Sequence, residues 1–315
     1  MAPGTLLRVR MLWSEIPAHV RDKVTEWLGA AVVGETSQPG GFSPGVASRL
    51  LLSDGRRVFV KAVGAVRNVD APVLYRREIA VMEYLPLSAP TPRLLHSYDD
   101  GEWVVLVMED VDGVPPRFPW DAAELNRVVS ALERLAETLT PAPAVAPQMT
   151  ETVAEYFTGW RSFAASAQLS EVPDAWAREH LPDLVALESR WPEAARGDTL
   201  LHIDLRDDNL LLTPEGAVVV VDWPHAAVGA AWCDLLLMLP SAAMGGTVDP
   251  EAVWASFGPA QNASADDVNA VLAAAAGFFL YRSTLPVPQN LPTLRDFQRS
   301  QGDAALRWLR ARLDA

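Results

Sequence analysis

Lysine is nearly missing from this chain: Lys23 and Lys61 stand against 24 arginines. Cysteine is scarcer still, with Cys233 alone, which excludes an internal disulfide and fits a reducing cytoplasm. No uninterrupted apolar stretch reaches the roughly 18 residues that a membrane-spanning helix needs. The longest, Val271 to Leu280, is short and alanine-rich and reads as a core helix. The opening Met1-Ala2-Pro3-Gly4-Thr5 lacks the basic start and long apolar run of a secretion signal. No internal repeat is visible. Basic side chains vanish between Arg206 and Arg282, where nine acids occur: Asp207, Asp208, Glu215, Asp222, Asp234, Asp249, Glu251, Asp266 and Asp267. Residues 1–110 carry 12 basic and 13 acidic groups and residues 111–315 carry 14 and 27, so the net charge of −14 belongs almost wholly to the second part. Such a charge repels nucleic acid and attracts cations, although acidic surfaces also serve solubility. The partner this charge favours is cationic, with no nucleic acid and no membrane expected.

What is present is concentrated in Leu200-Leu201-His202-Ile203-Asp204-Leu205-Arg206-Asp207-Asp208-Asn209-Leu210-Leu211-Leu212, followed by Val218-Val219-Val220-Val221-Asp222-Trp223. Two apolar strands flank a polar loop, and Thr213-Pro214-Glu215-Gly216 reads as a tight turn between them. Asp or Asn in a loop is by itself an ordinary turn former. His202, Asp204, Asn209 and Asp222 at these spacings instead follow the pattern of phosphoryl transfer. Asp204 is an acceptor-only carboxylate suited to orienting a hydroxyl and taking its proton. Asn209 and Asp222 offer the hard oxygens that Mg²⁺ prefers. Arg206 adds a positive fork that can steady the moving phosphoryl group. His202 is expected to hydrogen-bond the loop backbone. Asp207 and Asp208 are expected either to draw in a cationic acceptor or simply to form the loop.

The front half carries matching parts. Lys61 lies mid-strand in Arg57-Val58-Phe59-Val60-Lys61-Ala62-Val63, where a compact ammonium differs in kind from the arginines used elsewhere. Its partner is expected on the next helix, 71–85, where Glu78 lies among apolar positions 74, 81 and 85. Gln38-Pro39-Gly40-Gly41-Phe42-Ser43-Pro44-Gly45 precedes that strand. Gly40, Gly41, Ser43 and Gly45 can bring backbone close to phosphates, and the same composition also makes an idle turn. The buried strand Trp103–Glu109 runs into a linker whose Glu109 C=O and Val111 N–H face an adenine edge in this reading. ATP and Mg²⁺ are the cofactors these groups imply.

Coarsely, a helix at 16–29 precedes strands near 31–37, 46–53, 57–63, 93–98 and 103–109. Helices follow at 121–138, 149–166, 173–191, 230–240, 249–257, 264–282 and 292–313. The order implies an α+β chain: residues 1–110 as an antiparallel-sheet nucleotide lobe, and residues 111–315 as a larger, mostly helical catalytic and acceptor lobe.

With these residues in view, the chain resembles the aminoglycoside phosphotransferase family, small-molecule kinases with a protein-kinase-like two-lobe fold. The resemblance spans roughly residues 35–240. It rests on Lys61, Glu78, Met108-Glu109-Asp110, His202 to Asn209, and Asp222. It implies that Asp204 is the catalytic acid, that Asn209 and Asp222 are metal ligands, and that Lys61 with Glu78 clamps phosphate. It also implies that Asp234 supports the catalytic loop. Ile203 stands where a small residue is usual, the glycine segment is not G-x-G-x-x-G, and Trp223-Pro224-His225 follows Asp222 with no Ala-Pro-Glu motif after it. A regulated protein kinase is therefore not expected. The implied activity is ATP-dependent O-phosphorylation of an aminoglycoside or other antibiotic-like acceptor, and the alternative is metabolic phosphorylation of an amino sugar or amino alcohol. A nucleotide-binding pseudokinase is disfavoured, because the base, the lysine and both metal ligands are all present.

Overall fold

The computed structural model describes residues 10–38, 45–65, 71–144, 146–166, 171–288 and 291–314. The chain divides into two compact units. The first runs to Val114 and adds Thr213–Glu215 and Val219–Pro224. The second comprises Pro115–Leu212, Gly216–Val218 and the chain from His225 onward.

The first unit is a five-stranded antiparallel sheet. Its strands are β1 (Val32–Ser37), β2 (Val46–Leu52), β3 (Arg57–Gly64), β4 (Leu94–Asp99) and β5 (Trp103–Glu109), in the order β1-β2-β3-β5-β4. Alternation along the strands gives the sheet two faces. Val46, Leu50 and Leu52 of β2, Val58, Val60 and Ala62 of β3, and Trp103, Val105 and Val107 of β5 pack on α1 (Ala18–Leu28). The opposite face, with Val63, Val104, Leu106 and Met108, packs on α2 (Ala71–Tyr84) through Ala71, Tyr75 and Met82. Lys61 belongs to this second face, paired across to Ala47 and Leu106.

The second unit is helical: α3 (Ala122–Thr138), α4 (Met149–Thr152), α5 (Gly159–Ala165), α6 (Ala175–Glu179), α7 (Leu181–Ala194), α8 (Cys233–Ala243), α9 (Pro250–Ser256), α10 (Ala265–Ser283) and α11 (Leu294–Leu313). At its centre α10 meets α5, α7, α8 and α11. Ala270 and Ala273 through Ala276 are fully buried, and their small side chains let four helices approach one axis. The antiparallel pair β6 (Thr199–Leu201) and β9 (Ala227–Gly229) brackets the polar loop. Between them the chain passes through β7 (Leu210–Leu212) and β8 (Val218–Val220).

Two helices expected as continuous are broken. Residues 149–166 split into α4 and α5. The reason is the buried Glu188, which accepts hydrogen bonds from the Trp160 and Arg161 backbone N–H groups (2.8 and 3.1 Å) and so starts a new helix there. Residues 173–191 split at His180, since Pro182 suits a first helical turn and lacks the N–H that a continuing helix needs. Gly40, Gly41 and Ser43 lie outside the described residues. Gly45 is described, and its glycine has a packing reason: a Cβ there would stand 2.3 Å from the Ala62 carbonyl oxygen.

The junction of α5 with α10 is the tightest helix contact around this core. A Cβ on Gly159 would lie 1.9 Å from the Gly277 carbonyl oxygen, against backbone that cannot swing aside. Gly159→Ala is expected to lower stability by about 1–3 kcal/mol, measured as a drop in urea midpoint at unchanged m-value; an unchanged midpoint contradicts this packing.

Candidate active site

In the first unit β3 presents Lys61 to α2. Its Nζ donates to both Glu78 carboxylate oxygens, at 2.7 and 2.8 Å, and to Asp222 Oδ1 at 2.5 Å. Lys61 and Glu78 side chains are 14% and 2% exposed, whereas Asp222 retains 38%. Burial opposes the lysine charge, but the attraction of Asp222 and Glu78 overcomes it and holds the ammonium above its ordinary value. Glu78 is pushed up, by burial first and despite the pull of Lys61. The direction that governs the cluster is that of Lys61: a firmly charged ammonium between two carboxylates, with the Arg10 guanidinium also attracted to Asp222.

Asp222 is held in the left-handed region (φ 72°), where non-glycine residues pay strain of about 1–3 kcal/mol. Trp223, fully buried, anchors it: its indole Nε1 donates to Val220 O at 3.1 Å and its backbone N to Glu78 at 3.4 Å. A buried tryptophan in this place fits a fixed acid rather than a mobile switch. Sequence reasoning missed two neighbours, Arg10 and Tyr75. Both feel this cluster electrostatically, Arg10 through Tyr75 and Asp222, and Tyr75 through Lys61. Neither sits in a motif, and only tertiary packing brings them here.

In the second unit the polar loop is pinned from α8. Asp234 Oδ2 accepts from the His202 backbone N–H (2.9 Å) and Oδ1 from that of Ile203 (2.8 Å). These two bonds hold Ile203 at φ 73°, an outlier for a β-branched residue, and one that the usual small residue would tolerate better. His202 is fully buried, and its Nδ1 accepts from the Asp204 backbone N–H at 3.3 Å, so the ring carries its proton on Nε2. Asn209 spends its amide NH₂ on Asp204 O at 2.7 Å, which leaves the amide oxygen as the group it can offer a cation. Arg206, 12% exposed, donates to Asp204 Oδ1 and to both Asp208 oxygens, each bond 3.0–3.1 Å. Its guanidinium carbon lies 5.9 Å from the Phe297 ring centre on α11. The expected positive fork is thus bound to the loop's own carboxylates. Asp208 is spent on Arg206, and the Asp207 carboxyl is raised by burial and by Asp208.

Of the linker groups, Glu109 gives its carboxylate to Arg93 and its backbone N to Arg93 O. Val111 O accepts from Arg49 Nη2 at 2.9 Å. Among the described residues no cluster of three His, Cys, Asp or Glu could hold a metal unaided.

The fold is shared with known kinases of small molecules. A choline kinase from Streptococcus pneumoniae, LicA, is 14% identical over 93% of this chain and 98% of its own, with a TM-score of 0.59. An aminoglycoside phosphotransferase from Alicyclobacillus acidocaldarius is 15% identical over 90% and 92% of the two chains, with a TM-score of 0.55. A thermostable mutant of aminoglycoside phosphotransferase APH(4)-Ia, solved with AMP-PNP and hygromycin B, is 16% identical over 95% and 98%, with a TM-score of 0.58. No curated protein sequence matches significantly. The architecture is therefore that of a kinase-like phosphotransferase. A model of the phosphotransferase enzyme family matches residues 42–267, and the chain belongs to that family, a small-molecule kinase by class.

Burial raises the Asp234 carboxyl to about 6, against the pull of its two backbone N–H partners. Its folded value exceeds its unfolded one, so between about pH 4 and pH 6 the native state binds the extra proton, and stability falls as pH rises. Relative to Asp234→Asn, wild type should lose about 3 kcal/mol of stability across that window. Denaturant titrations at several pH values read this difference; a difference that grows with pH contradicts it. Ile203→Gly, which removes the strained side chain, is expected to leave the thermal midpoint unchanged or raise it.

Proposed function

We propose that the chain transfers the γ-phosphoryl group of ATP to a hydroxyl group of a small molecule. The observation that carries this reading is the Asp204 carboxylate: 35% exposed, and held by Arg206 in a loop that Asp234 braces from below. Asp204 accepts the proton of the attacking hydroxyl as general base. Arg206 fixes the orientation of Asp204, and His202 braces the same residue through its backbone. Lys61, locked by Glu78, is the phosphate-gripping group, and Glu109 C=O with Val111 N–H serves the base.

The Asp222 carboxylate and the Asn209 amide oxygen are hard oxygen donors that suit a hard cation, so these two are the ligands proposed for Mg²⁺. Bound there, the ion supplies neutralisation of the polyphosphate. The net charge of −14 supports an amine-bearing acceptor such as an aminoglycoside or other antibiotic, or an amino sugar or amino alcohol. Asp207 and Asp208 support that less than the overall charge does, since one is partly buried and the other paired. The lone, buried Cys233 supports a reducing cytoplasm. No described helix is long and apolar enough to cross a membrane.

The test is acceptor-dependent ADP release across aminoglycosides, other cationic antibiotics, amino sugars and amino alcohols, with products identified by a mass gain of one phosphoryl group. Asp204→Asn is expected to lower kcat by ~10²–10⁴-fold with nucleotide affinity largely kept. A variant within tenfold of wild type places the base elsewhere.

A further inference from the structure

The sheet face that bears Lys61 also bears Arg49. In β2 and β3 the cross-strand pairs Ala47↔Lys61 and Arg49↔Phe59 are two residues apart and therefore share a face. From there Arg49 reaches the linker after β5. Its Nη2 donates to Val111 O at 2.9 Å, and its Nε lies 3.3 Å from Asp110 Oδ1. Asp110 is only 2% exposed and meets a second guanidinium, Arg57 Nε at 3.1 Å from Oδ2. A buried carboxylate between two partly exposed guanidiniums is rarely the most stable filling for such a place, and the best-attested use of such ionic contacts is to fix geometry. Here it fixes Arg49 at the edge of the linker. A guanidinium offers five N–H donors, and the Nη1 edge of Arg49 makes no hydrogen bond among the described residues, on a side chain still 26% exposed.

We propose that Arg49 is a nucleobase-recognition residue and that the donor site accepts 6-oxopurine nucleotides, GTP and ITP, as well as ATP. The inference rests on the kinase reading above, with Glu109 C=O and Val111 N–H serving the base. Guanine and hypoxanthine present O6 and N7 as adjacent acceptors, which a guanidinium fork engages together. Adenine places an amino donor beside N7, so the same fork finds one acceptor and one clash of donors. The N1–H of a 6-oxopurine serves Glu109 C=O in place of the adenine amino group.

The experiment measures kcat/KM for ATP, GTP and ITP, and equilibrium binding of each nucleotide, in wild type, Arg49→Leu and Arg49→Lys. Arg49→Lys keeps a positive charge beside Asp110, and so protects the fold, but lacks the fork. Wild type is expected to use GTP and ITP within about tenfold of ATP. In both variants the GTP:ATP and ITP:ATP ratios of kcat/KM should fall roughly 10- to 100-fold, through KM. A purely structural strut would change all three nucleotides alike, and that result overturns the proposal. So does a wild type that binds and uses ATP alone, or an ITP that follows ATP rather than GTP. Failure of the kinase reading shows differently: no nucleotide binds or supports transfer, and both conclusions fall.

Discussion

The ammonium of Lys61 is the charge on which the polar centre of the first unit depends. Two carboxylates, Glu78 from α2 and Asp222 from beyond β8, converge on it within 2.8 Å. Glu78 is buried to 2% and requires the lysine, since an unpaired carboxylate there would be neutralised or expelled. Asp222 keeps 38% of its side chain exposed. One buried cation thus ties a helix to a sheet and leaves a carboxylate oxygen partly open.

The polar loop after β6 is likewise held by a few groups that each make several contacts. Asp234 supplies both bonds that hold the His202–Ile203 turn, His202 braces Asp204 from behind, and Arg206 braces it from the side. Positive φ at Ile203 and Asp222 falls beside Asp204 and within the Lys61 cluster. Over-determined backbone is how such strain persists in a folded chain. Asp234, His202 and Arg206 thus hold the loop from three directions.

Much of this arrangement was legible in the chain because the residues that build it are local in sequence. Lys61, stranded among arginines, Asp204 with Asn209, and Asp222 at a strand end are spaced by the elements that carry them. The sheet strands and α2 followed from alternation and periodicity. The breaks at 153–158 and His180 did not, since a buried Glu188 that caps a helix from another helix leaves no periodic signal. Nor did Arg10, Tyr75 and Arg49, whose places are set by packing across the sheet. The role of Arg206 was read from charge alone. Only the fold shows its fork already spent on Asp204 and Asp208.

In the function proposed above, the Asp222 carboxylate beside Lys61 holds a divalent cation against the polyphosphate. Calorimetric titration of AMP-PNP into the protein, with and without Mg²⁺, tests this directly. Mg²⁺ is expected to strengthen binding by at least about tenfold, since the cation offsets the repulsion between carboxylate and phosphate. Equal affinity in the absence of divalent cation would contradict it.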